Sequence, residues 1–105
     1  LQAILEKKWT LGIEDKDMLV MQHQFVFNLE GQKKQLNSSL LVYGEGPRYT
    51  AMAKTVGLPV AIATKLILNG QIKSKGVRIP TTKDIYLPVL KELSENGIDF
   101  IEELV

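Results

Sequence analysis

Residues 18–43, MLVMQHQFVFNLEGQKKQLNSSLLVY, decide the architecture. From Met18 the apolar residues follow a period of two, the signature of a strand with one buried face. Leu19, Met21, Phe25, Phe27 and Leu29 fall on one side, and Gln22, Gln24 and Asn28 on the other. Glu30-Gly31 supplies a tight turn, because glycine tolerates positive φ. The return strand should run from about Lys33 to Tyr43. Leu40 to Tyr43 is apolar at both parities, so this end is predicted to be covered on both faces.

Upstream, Leu1, Ile4, Leu5 and Trp9 make one stripe of a short helix, with Gly12 as its stop. Glu14-Asp15-Lys16-Asp17 reads as a solvated connector. Downstream, Gly44-Glu45-Gly46-Pro47 breaks the strand. Tyr49 to Asn69, rich in Ala, Leu, Lys and Met, is a helical stretch. Pro59 cannot donate to the preceding turn, so the stretch is expected to split at Gly57-Leu58-Pro59 into two helices. Pro59 to Leu68 should be buried almost all round, with Gly70 as the C-terminal glycine. Thr81 or Thr82 would cap a last helix carrying Val89, Leu90 and Leu93. Pro88 should delay its regular part, and Asn96-Gly97 should end it. Ile98 to Glu102 reads as a short final strand. The fold class is α+β, an antiparallel hairpin packed with helices.

The chain has 105 residues, 45% hydrophobic and 24% charged. That suits one soluble globular unit. A formal charge of +1, with only a loose basic group at Lys73, Lys75 and Arg78, argues against a nucleic-acid partner. There is no cysteine, which removes disulfides and thiolate metal sites and suits a reducing cytoplasm. No apolar run reaches the ~20 residues of a membrane span. A start at Leu1, inside a helical pattern, suggests a piece of a longer chain.

Chemistry-bearing residues are sparse. His23, the single histidine, lies on the apolar side of the first strand with no second base or nucleophile spaced to pair with it. A half-buried, hydrogen-bonded histidine is the favoured reading. Gly44 and Gly46, with Arg48 nearby, could in principle aim a helix N-terminus at a phosphate. Against this, a third glycine is missing, Pro47 removes a donor, and the preceding strand belongs to a hairpin rather than a βαβ unit. Glu30, Glu45 and Asp84 are not forced onto one face, and Glu102-Glu103 reads as a solvated terminus. No nucleophile elbow, P-loop or metal-binding helix motif occurs.

Several blocks, in order, resemble the C-terminal region of the saccharopine dehydrogenase family. They are Asp17 to His23, Tyr49 to Pro59 continuing through Ile62 to Gly70, Gly76 to Pro80, and Ile85 to Leu90. The resemblance implies an oxidoreductase that interconverts saccharopine with glutamate and 2-aminoadipate 6-semialdehyde in lysine metabolism. It uses NADP or NAD, bound mainly outside this chain, and no metal. It also implies that the chain is the C-terminal part of the second α/β domain of a two-domain dehydrogenase. Residues 1–72 would form the sheet and buried helices, and residues 73–105 a helix and strand packing towards a Rossmann domain elsewhere in the parent. The expected partners are that domain, a second copy in a homodimer and a small amino-acid substrate, with no nucleic acid or membrane. Thr50, Lys54, Thr55 and Thr81 are the substrate-binding candidates, with Arg78 and Lys75 behind them, and no residue here is assigned a catalytic role. Two alternatives stand beside this: a related secondary-amine dehydrogenase such as carboxynorspermidine dehydrogenase, and a non-catalytic dimerisation module. The isolated piece is expected to be inactive and to self-associate through its unpaired strand edge.

Overall fold

The hairpin organises the computed structural model, which describes residues 1–105. Strand β1 (Met18–Leu29) pairs with β2 (Gln32–Tyr43) antiparallel over its whole length, from Met18↔Tyr43 to Leu29↔Gln32. Glu30 at φ 52° and Gly31 at φ 76° form the turn. Two consecutive left-handed residues give the twist that hairpin strands need. A third strand, β3 (Ile101–Leu104), pairs antiparallel with β2 from Leu36↔Leu104 to Ser39↔Ile101. The sheet order is β1-β2-β3, so β2 is central and β1 is a free edge.

Three helices complete the chain: α1 (Gln2–Trp9), α2 (Ala51–Leu68) and α3 (Lys83–Glu95). Helix α2 lies on the sheet face that carries Leu40 and Val42, and α3 packs on α2. On α2 the inward residues Ala51, Leu58, Ile62 and Leu66 recur at helical spacing. On α3 the matching stripe is Ile85, Val89 and Leu93. Lys65 of α2 pairs with Glu92 of α3 at the rim of this contact. After α3, Gly97 takes φ 75°, and the amide of Ile98 bonds back to Leu93 O at 2.9 Å. The reversal turns Ile98 into the core, a glycine-dependent helix stop. Eight buried apolar residues form the core: Leu40, Val42, Ala51, Ile62, Leu66, Ile72, Leu93 and Ile98.

That core is small for the chain. The radius of gyration is 17.7 Å, where a compact domain of this length would have about 13 Å. Accessible surface is 8683 Å² against roughly 5,900 Å² for a monomer of this mass. Much of the excess is apolar. The outer face of the hairpin shows Val20, Val26, Leu41 and Tyr43; the outer stripe of α2 shows Met52, Val56, Val60 and Ile67; α1 buries nothing. Met21, Phe25, Phe27 and Leu29, expected on a buried face of β1, are exposed because the helices do not reach over them.

Several expectations are corrected. Helix α2 does not split: it runs unbroken with Pro59 inside it. The bond lost at Pro59 is outweighed because Leu58, Ile62 and Leu66 dock as one stripe only if both halves stay coaxial. Nor is its second half buried all round, since Ile67 and Leu68 are exposed; the sheet and α3 cover one face only. For the same reason Leu40 and Val42 are buried while Leu41 and Tyr43 are exposed, so that end of β2 is covered on one side. Pro88 does not delay α3, which begins at Lys83 with Thr82 as N-cap. The last strand starts at Ile101, because Ile98 is spent on the core. The N-terminal helix exists, but its stripe packs on nothing.

Candidate functional site

The N-terminus of α2 is closed by the protein's own groups. Asp17, just before β1, accepts from Ala51 N at 2.7 Å and from Met52 N at 3.1 Å. Thr50 Oγ1 accepts from Ala53 N at 2.9 Å, an ordinary N-cap. The amide of Ala51, and then that of Met52, hold the Asp17 carboxyl below its ordinary range, as donors to a carboxylate should. Gly44 is the residue that lets Asp17 in: a Cβ there would lie 2.0 Å from Asp17 Oδ1. A carboxylate therefore sits where a phosphate-binding loop would hold its ligand, and the Gly44–Gly46 turn does not fit a dinucleotide.

The four substrate candidates divide accordingly. Thr50 is the cap just described. Thr55 Oγ1 donates to Ala51 O at 3.0 Å inside α2. Lys54 pairs with Glu45 and, with Tyr49 and Leu58, lines a surface cavity of about 520 Å³. The Lys54 ammonium lowers the Glu45 carboxyl below its ordinary range. Thr81 lies in the loop entering α3, exposed, and is not on that cavity's wall. The structure thus brings Thr50, Lys54 and Thr55 to one end of α2 and leaves Thr81 apart. Arg78 and Lys75 share a turn in which Arg78 Nε donates to Lys75 O at 3.1 Å. Asp84 is held below its ordinary range by the hydroxyls of Ser74 and Thr82.

A second cavity, of about 480 Å³, was not legible from spacing. His23, Ser38 and Glu102 form one row across all three strands on the helix-side face, through the pairs His23↔Ser38 and Ser38↔Glu102. The imidazole stacks on Phe25, with centroids 6.0 Å apart, and leans on Phe100 at 6.2 Å. The His23 side chain is exposed rather than half-buried and makes its contacts by ring stacking rather than by hydrogen bonding, which corrects the expectation for it. Glu102, read above as a solvated terminus, forms part of this wall. Only the register of β3 on β2 reveals that, and the sequence does not state a register for so short a strand.

Comparison with known proteins places the whole chain. The profile of the saccharopine dehydrogenase C-terminal domain matches residues 1–98. The mitochondrial alpha-aminoadipic semialdehyde synthase of Mus musculus is 43% identical over 97 residues, covering 91% of this chain and 10% of that protein. The NADP-dependent, L-glutamate-forming saccharopine dehydrogenase of Saccharomyces cerevisiae is 38% identical over 102 residues, covering 96% of this chain and 23% of that one. The solved apo structure of the L-Glu-forming saccharopine dehydrogenase from that yeast superposes with a TM-score of 0.89 at 40% identity, over 98% of this chain and 24% of its own. The chain therefore spans between a tenth and a quarter of the length of these relatives.

Proposed function

The chain belongs to the saccharopine dehydrogenase C-terminal domain family, and from that premise we propose that it serves as the C-terminal, substrate-side and dimerisation region of an enzyme of lysine metabolism. The reaction is the interconversion of saccharopine with glutamate and 2-aminoadipate 6-semialdehyde, with NADP as the hydride carrier. The observation that carries the reading is agreement of fold and sequence together, a TM-score of 0.89 at 40% identity over nearly the full chain.

The geometry supports a supporting rather than a reacting role. The Gly44–Gly46 turn before α2 is filled by Asp17, which supports a cofactor site in the rest of the parent protein. The exposed apolar stripe of α2 and the outer hairpin face are surfaces that a Rossmann domain or a second subunit would cover. Residues 73–105 are proposed to face the former. Lys54 is the substrate-side candidate on best ground, because it lines a cavity and could exchange Glu45 for a substrate carboxylate. The mouse relative is a mitochondrial protein, a compartment other than the cytoplasm expected from the lack of cysteine.

The test is saccharopine and NADP⁺ added to the full-length protein, following reduced cofactor by absorbance. Turnover is expected with saccharopine. Turnover with a carboxynorspermidine-type amine and none with saccharopine would overturn the substrate. In the same assay Lys54→Gln should raise KM for saccharopine about tenfold, as loss of one charge-assisted hydrogen bond implies, and leave kcat little changed.

A further inference from the structure

The cavity that holds His23 combines acidic and aromatic walls. Two carboxylates, Glu102 and Asp99, stand on its wall and no lysine or arginine does. The Glu102 carboxylate takes part in neither of the chain's two ion pairs, Lys54–Glu45 and Lys65–Glu92. Asp99 accepts from Ser94 Oγ at 3.1 Å and from Phe100 N at 3.0 Å, which fixes its carboxyl in place.

Ser38 supplies the second, independent observation. It is 5% exposed, lies between His23 and Glu102 in the strand row, and lines the cavity. Its hydroxyl has no partner within the chain, yet no buried side-chain polar atom sealed from solvent is left unsatisfied. The hydroxyl therefore opens onto the cavity itself. Because it is open there, water or a bound group can complete its hydrogen bonding. Adjacent strand positions place Cβ atoms about 5 Å apart, close enough for one bound head group to meet both Ser38 and Glu102.

What would fit? A metal ion would need converging ligands, and no group of three or more His, Asp or Glu side chains is placed to hold one. The remaining lining is apolar and aromatic, with Phe25 and Phe100 flanking the imidazole. Aromatic faces attract organic cations, and carboxylates supply the counter-charge. The volume, about 480 Å³, lies in the range of small-molecule sites. We propose that this cavity binds the ammonium end of an alkyl chain: the N–H groups meet Glu102 and Ser38, and the methylenes lie along the phenyl rings. An α-amino acid head is disfavoured, because its own carboxylate would face Asp99 and Glu102 with only the His23 imidazole, and no lysine or arginine, to meet it. The site does not depend on the substrate proposed above, but Leu90, Ile98, Asp99, Phe100 and Glu102 of its wall belong to residues 73–105, so it requires the domain proposed to face that segment to leave the cavity mouth open.

The test is isothermal titration of the full-length protein, without saccharopine or cofactor, using three probes. Butylammonium represents a free amine, Nα-acetyl-lysine amide a lysine side chain within a peptide, and norleucine the α-amino acid head on an alkyl chain. Binding of either of the first two, at least roughly tenfold tighter than norleucine and weakened roughly tenfold by Glu102→Gln, is expected. The tighter of the two names the source of the chain. Glu102 is exposed at a short terminal strand, so its replacement should leave folding intact, which the melting temperature checks. Ser38→Ala gives a second reading and should weaken the same probe several-fold. No binding of either amine, equal affinity in Glu102→Gln, or norleucine binding as tightly as butylammonium would each overturn the proposal.

Discussion

Replacing Gly44 by alanine should damage the chain through a residue 27 positions away, and the structure gives the size of the effect. The new Cβ would lie 2.0 Å from Asp17 Oδ1, 3.2 Å from Asp17 Cγ and 2.9 Å from Ala51 N. The first distance is impossible, so the Asp17 side chain must swing away. It then releases the amides of Ala51 and Met52. Ala51 is fully buried, so water is a poor substitute there. Overpacking and one uncovered buried amide together put the cost of Gly44→Ala at about 2–4 kcal/mol. The mechanism also predicts non-additivity. With Asp17→Ala already in place there is no carboxylate to displace, and Gly44→Ala meets only the Ala51 amide. Its cost should fall by half or more, a coupling within the range for touching residues. Urea unfolding of the wild type, both single variants and the double variant, followed by circular dichroism, reads this directly. Costs that add to within about 0.5 kcal/mol would refute the argument.

Leu66→Ala and Leu68→Ala should separate sharply on one helix: Leu66 is 1% exposed and Leu68 80%, so the first should cost about 3 kcal/mol and the second under about 0.5 kcal/mol in the same unfolding assay. Thr50→Ala removes the hydroxyl that caps Ala53 N and should cost about 1 kcal/mol, which Thr50→Ser should largely restore. Acid should destabilise the chain through Asp17. Its folded pKa lies below the unfolded value of 3.8, so its contribution is present above 3.8 and is lost as pH falls through the folded value. Melting temperature measured against pH should therefore fall less steeply below 3.8 in Asp17→Asn. Glu45 and Asp84 are lowered in the same direction and should keep that variant from being flat.

The hairpin was legible because its information is local: a period of two on both sides of Glu30-Gly31 fixes register and turn together. Which side of β2 faces the helices was not, since Leu40, Leu41, Val42 and Tyr43 are all apolar and only the position of α2 distinguishes them. Continuity of α2 through Pro59 is not legible locally, because it depends on the docking of Leu58, Ile62 and Leu66 rather than on helix propensity. Asp17 looked like part of a solvated connector, and its partners lie 34 and 35 residues downstream. The row His23, Ser38 and Glu102 is similarly non-local, for it exists only once β3 has chosen its register on β2.

The hairpin also has a history before α2 covers it. Leu66, the residue that seals Leu40 and Val42 into the core, follows Tyr43 by 23 positions (66 − 43). At ribosomal speeds of about 5–20 residues per second, the strands wait roughly 1–5 s for their cover. During that interval both faces and the β1 edge are bare, and β1 contains no lysine, glutamate or proline to discourage a neighbouring nascent chain. Co-translational yield, more than the equilibrium stability of the finished fold, is then what a charge introduced at Val26 on the outer face would change.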